Sequence, residues 1–70
     1  MPTKRQQLIL DFVISFMKSN AFPPTRQEIA DHFGFRSSNG AHEHLLALER
    51  KGLIQLTTGI ARGIRIISKD

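Results

Sequence analysis

Apolar residues recur along the chain with two different periods, and the switch between them divides it into a helical part and a strand part. Ile9, Phe12, Val13, Phe16 and Met17 fall three or four apart, the spacing that lines one face of an α-helix. Just upstream, Thr3-x-x-Gln6 can form a capping box, in which each side chain satisfies a backbone donor at the other's position. The two signals predict a first helix over about residues 4–19. Asn20 can take the left-handed conformation that ends a helix, and Pro23-Pro24 prevents a restart before Thr25. Thr25-x-x-Glu28 is a second capping box, and Glu28 sets a negative charge at the positive end of the helix dipole. Ile29, Ala30 and Phe33 give a second helix, over about 26–33, its buried face, and Gly34 supplies the permissive backbone of the turn that follows. Ser37, with Ser38 as the alternative, is expected to cap a third helix over about 38–51. Ala41, Leu45 and Leu48 form its inward stripe. Gly52 stops it behind Arg50 and Lys51, whose cations complement the negative end of the dipole.

Beyond Gly52 the period falls to two. Ile54 and Leu56, then Ile64 and Ile66, alternate with polar residues as half-buried strands do. Between them Thr57-Thr58-Gly59-Ile60-Ala61-Arg62-Gly63 reads as a loop with two glycines, so a hairpin is expected over about 53–67. Three helices followed by a two-stranded antiparallel hairpin make a mainly α domain with a small β-hairpin. That is the order of a winged helix-turn-helix, here one domain over residues 1–70. The motif places one helix in the DNA major groove.

Charge and composition narrow the partner. The net charge is +4 and the pI about 10.4. Residues 1–35 carry Lys4, Arg5, Lys18 and Arg26 against Asp11, Glu28 and Asp31. Residues 36–65 carry Arg36, Arg50, Lys51, Arg62 and Arg65 against only Glu43 and Glu49. A basic half suits a polyanion. With no cysteine, disulfides, thiol catalysis and thiolate metal sites are excluded, which fits a reducing cytoplasm. No apolar run approaches the roughly 18 residues of a membrane span, and no signal-peptide pattern is present.

The third helix carries the candidate chemistry. Ser38, Asn39, His42 and Glu43 project from its first turns off the apolar stripe. Asn can both accept from and donate to adenine, Glu can accept from the cytosine amino group, and Ser can do either. Gly40 is either tolerated in a first turn or kept bare where the backbone approaches a base edge. Arg36, and Ser37 at the helix start, are placed for phosphate contact, as is Arg26 at the start of the second helix. Arg62 near the loop tip is expected to reach a phosphate or the adjacent minor groove. Arg65 projects outward from the strand, either to DNA or to solvent. His42 and His44 lie two apart and point to different sides of a helix, and with His32 they make no ligand set, so neither metal nor cofactor is expected. His44 belongs at the edge of the core. Ser37 and Ser38 have no base at a recognisable spacing, so no enzyme activity is expected. Ile14 and Leu46 fall outside their helices' stripes and, if they lie together, would form a partner surface.

Longer runs carry a family likeness. Pro23-Pro24-Thr25-Arg26-x-Glu28-Ile29-Ala30, Gly34-Phe35-Arg36-Ser37-x-Asn39-x-Ala41 and Glu43-His44-Leu45-x-Ala47-Leu48-x-Arg50-Lys51-Gly52 together resemble the N-terminal DNA-binding domain of the LexA family, repressors of the bacterial SOS response. Gly59-x-x-Arg62-Gly63-Ile64-Arg65 resembles the wing of that domain, and the likeness begins at Arg5-Gln6-Gln7. The resemblance implies a repressor that binds inverted half-sites of double-stranded DNA as a homodimer, with the third helix in the major groove. It implies base contact from Ser37, Asn39 and Glu43, and from the positions held by Gly40 and His42, where many members carry alanine and glutamate. A second branch carries His in the pattern His42-x-His44-Leu45. Replacing a carboxylate there removes an acceptor for a cytosine amino group, which would shift the half-site preference. The family's self-cleaving and dimerising C-terminal domain, with its Ser-Lys dyad, would lie outside this chain. The chain is then expected to be either one domain of a longer repressor or a free-standing regulator, weakly bound to DNA as a monomer in isolation. A winged-helix protein-interaction module, or a phage or host regulator without an SOS role, is the alternative; affinity insensitive to salt would mark the interaction module.

Overall fold

Paired capping bonds open the first two helices. In the computed structural model, which describes residues 2–67, α1 (Lys4–Asn20) starts where the Thr3 hydroxyl accepts from the Gln6 N–H at 3.1 Å and Gln6 Oε1 accepts from the Thr3 N–H at 3.0 Å. Residues 1 and 68–70 lie outside the described residues. The same reciprocal pair, Thr25 and Glu28, opens α2 (Arg26–Phe33) with bonds of 2.9 and 3.0 Å. The exit of α1 differs from the sequence expectation. Asn20 stays helical because its side-chain amide donates to the Phe16 carbonyl one turn back, at 3.0 Å. The left-handed turn therefore falls on Ala21, at φ 64°, with its N–H on the Met17 carbonyl.

Gly34, at φ 73°, closes α2, and the Phe35 N–H reaches back to the Ala30 carbonyl at 2.9 Å. α3 (Ser38–Arg50) is entered from Ser37 in an extended conformation. Ser37 occupies the N-cap position, but its hydroxyl makes no capping bond, unlike Thr3 and Thr25. α3 ends one residue before the sequence pattern placed its end. Its exit is a Schellman closure: the Gly52 N–H bonds the Glu49 carbonyl and the Leu53 N–H bonds the Leu48 carbonyl, at 2.9 and 3.1 Å.

The hairpin pairs β1 (Ile54–Leu56) with β2 (Ile64–Ile66) antiparallel, setting Ile54 against Ile66, Gln55 against Arg65 and Leu56 against Ile64. The strand period sends Ile54 and Ile64 into the core and leaves Gln55 and Arg65 exposed on the other face. Every element feeds one core: Ile9, Leu10 and Val13 from α1, Ile29 and Ala30 from α2, Ala41, Leu45 and Leu48 from α3, and Ile54 and Ile64 from the hairpin. Leu10, outside the predicted stripe, is buried. It widens the apolar face of α1 so that Ile14, one turn on, packs against the core as well. Leu46 is half-buried beside the hairpin. Ile14 and Leu46 thus both keep only part of their surface open.

Gly63 closes the wing loop against Thr57. Its carbonyl accepts from the Thr57 N–H at 2.8 Å and its N–H donates to the Ile60 carbonyl at 3.1 Å. A Cβ at Gly63 would lie 2.7 Å from the Thr57 carbonyl oxygen and 3.0 Å from that of Ile60. Backbone atoms held in a turn yield less readily than a side-chain end. Gly63→Ala is expected to cost about 1–3 kcal/mol by overpacking, read as a lower midpoint in thermal or urea unfolding. An unchanged midpoint would show that the tip relaxes without cost.

Candidate nucleic-acid interface

The helical period sorts the residues of α3 into four faces. Ala41, Leu45 and Leu48 point into the core. Directly opposite stand Asn39, Glu43 and Arg50, all exposed. On one flank His42, Leu46 and Glu49 line a groove of about 690 Å³ that the wing loop, including Ile60, closes on its other side; Arg26 from α2 borders it too. The other flank turns to the interior elements. A Cβ at Gly40 would meet the Phe35 ring at 3.6 Å, His44 stacks on Phe35 at a centroid distance of 5.7 Å, and Lys51 Nζ donates to Gln6 of α1 at 2.7 Å. The outward face is therefore polar and held rigid from beneath. Glu49 fixes the wing root to α3, since its Oε2 accepts from the Leu56 N–H at 2.9 Å.

Of the residues singled out in the sequence, Asn39 and Glu43 share the outward face and His42 lies on its wing flank. Ser38 stands half-buried on that flank by helical spacing, and Gly40 lies on the opposite flank against Phe35. Arg36 and Ser37 are exposed just ahead of the first turn. That end of α3 has no side-chain cap, so its backbone amides and its dipole face outward together with Arg36. A Cβ at Gly40 would make only ordinary contact with Phe35, so internal packing does not require glycine there. Arg50, expected only as a cation at the helix end, also belongs to the outward face. Its signal was present, because it stands two helical turns beyond Glu43.

The wing arginines part company. Arg65 is exposed opposite Gln55 on the outer face of the hairpin. Arg62, expected at a phosphate, is engaged within the domain. Its Nη1 donates to Glu28 Oε1 at 2.7 Å and to the Pro23 carbonyl at 2.8 Å, its Nη2 donates to Glu28 Oε2 at 2.9 Å, and its guanidinium lies 4.6 Å from the centre of the Phe22 ring. This is the bidentate fork that favours arginine over lysine. It spans 34 residues of sequence and could not be read from local pattern.

The fork and the helix cap act on one carboxylate. The hydrogen bonds from Arg62, then the Thr25 backbone N–H, pull the Glu28 carboxyl down to about 2 from an ordinary value of 4.5, against a smaller desolvation effect. The same bond raises the Arg62 guanidinium above its usual value. The unfolded chain takes up a proton at Glu28 as pH falls through about 4.5, whereas the folded chain resists until about 2. The clasp's contribution is therefore full above the ordinary carboxylate range and is lost as pH falls toward about 2. An NMR titration of the Glu28 side-chain carboxyl in the folded domain should show the depressed midpoint. A midpoint in the usual carboxylate range would contradict the clasp.

His32 stacks on Phe12 at 4.1 Å and meets Phe33 edge-on, while His44 lies on Phe35, so these two rings serve the aromatic layer between the helices. No group of three potential metal ligands occurs among the described residues, and no helix among them is long and apolar enough to cross a membrane.

A helix supported on two others, polar on its outer side and flanked by a hairpin, is how a winged helix-turn-helix domain presents itself to a nucleic acid. Residues 2–63 match the LexA DNA binding domain, and the chain belongs to that family. It is 58% identical over 66 residues to the LexA repressor of Leptothrix cholodnii, covering 94% of this chain and 29% of that protein. It is 56% identical over 64 residues to the LexA repressor of Cupriavidus pinatubonensis, covering 91% and 29%. It is 48% identical over 68 residues to that of Edwardsiella ictaluri, covering 97% and 34%. The chain thus spans about a third of the length of the curated relatives it matches.

Proposed function

We propose that the domain binds double-stranded DNA sequence-specifically and acts as the operator-reading part of a LexA-type transcriptional repressor of the SOS response. The observation that carries this reading is the outward stripe of Asn39 and Glu43 on a helix whose other side, Ala41, Leu45 and Leu48, is locked in the core. With α3 in the major groove, Asn39 pairs with adenine and Glu43 accepts from a cytosine amino group, while Ser38 and His42 extend the contact toward the wing. Gly40, on the Phe35 flank of the same first turn, leaves that edge of the helix bare so that the duplex can come close to the backbone there. Arg36, Ser37 and the uncapped start of α3 hold a phosphate, as does Arg26 at the start of α2. Arg65 is left as the wing's own contact to the DNA backbone. Inverted half-sites read by a homodimer would supply the affinity that one small domain lacks, because the second contact is made at high effective concentration.

Selection of bound duplexes from a random pool at fixed salt tests the proposal. It should return a common half-site, with affinity that falls steeply as salt rises. A pool recovered without sequence preference would contradict it.

A further inference from the structure

We infer that Arg62 is a positioning residue, one that clasps the wing to the entrance of α2 and so fixes the wing beside α3. The inference rests on the DNA-binding reading above and refines it, because it takes Arg62 out of the set that meets phosphate.

The geometry of the clasp is closed on three sides. Both Nη1 hydrogens are committed, to Glu28 and to the Pro23 carbonyl, and Nη2 completes the fork. Phe22 lies under the guanidinium and is otherwise 44% exposed. The partner carboxylate is itself anchored, because Glu28 Oε1 also accepts the Thr25 N–H that opens α2. On the wing side, Gly63 follows Arg62 directly and is bonded at both its N–H and its carbonyl within the loop, so a pull on Arg62 is a pull on the whole tip. A phosphate competing for the fork would have to displace a carboxylate that receives two bonds from Arg62 and is tethered by a third from the Thr25 N–H. The wing borders the groove along the His42, Leu46 and Glu49 flank of α3, so its position decides what can enter there. In physical terms, α2's capping carboxylate is shared between starting that helix and docking the hairpin.

Two substitutions of opposite charge separate this role from phosphate binding. Arg62→Gln removes a positive charge. Glu28→Gln removes a negative one and keeps the capping box, since glutamine also serves at that position. Affinity for the selected duplex is measured across a salt series for wild type, both single variants, the double variant and Arg62→Lys, together with amide hydrogen exchange of the wing without DNA. A positioning role predicts that both single variants weaken binding, by roughly fivefold or more. The double variant should be no worse than either single one, the salt slope should be unchanged, and exchange in residues 57–63 should be faster in both. Arg62→Lys, with the charge but without the fork, should behave like Arg62→Gln. The opposite pattern would overturn the inference: Glu28→Gln tightens binding, Arg62→Gln lowers the salt slope by about one, and lysine rescues. If wild type itself shows no salt-dependent binding to any duplex, the DNA-binding reading fails while the clasp stays open to its own test. Exchange of the wing amides alone would then decide whether the clasp holds the hairpin.

Discussion

Leu45→Ala is expected to remove a large share of the domain's stability and to lower its thermal midpoint sharply. Leu45 is 1% exposed and lies at the centre of the stripe that holds α3 to the other helices. Truncating a buried leucine costs about 2–5 kcal/mol through lost burial and the cavity left behind. A chain of this length holds roughly 4–10 kcal/mol in total, so the loss takes a large share of what there is. A fall in the thermal midpoint of roughly 10–30 °C follows, with DNA binding lost in step with folding and not before it. Calorimetry or circular dichroism measures the shift. A variant that kept its midpoint would mean that α3 is not anchored through Leu45.

Asn39→Ala should act in the opposite manner, sparing the fold and damaging recognition. The side chain is exposed on the outer face of α3 and holds no core contact, so the midpoint should move little. On the preferred duplex the loss should be about 1–3 kcal/mol, confined to one base-pair position, where discrimination relaxes. The salt slope should stay the same, because no phosphate contact has been removed. Competition between the preferred duplex and single-position variants reads this directly. Equal discrimination before and after the change would take Asn39 out of the base-reading set.

The local half of this account was legible in the sequence. The capping threonines, the glycine turns at Gly34 and Gly52, and the switch of period after Gly52 are all satisfied by neighbours within a few residues, so residue type and spacing are enough to place them. What escaped reading was settled either by competition or by distance. Asn20 had two ways to end α1, and its amide bond to Phe16 handed the left-handed turn to Ala21. Ser37 had the right identity for a cap, yet its hydroxyl makes no such bond. Leu10 widens the apolar face of α1 and so brings Ile14 partly onto the core, which spacing from the main stripe alone does not reveal. The expectation of Arg62 at a phosphate or the minor groove leaves out its bond to Glu28, a residue that already has a local role in the capping box. A side chain with one visible function conceals a second that only the tertiary fold supplies. The outward face of α3 was legible for the same reason the core was, since burying Ala41, Leu45 and Leu48 leaves Asn39 and Glu43 on the far side.

The most direct test of the recognition surface is amide chemical-shift mapping of the domain against its selected duplex. The largest changes are expected over residues 36–43, with smaller ones at Arg26 and along the outer wing strand around Arg65, and almost none at Ile9 and Val13 behind the bundle. A saturable complex in which the amides from Arg36 to Glu43 stay in place would contradict that recognition surface.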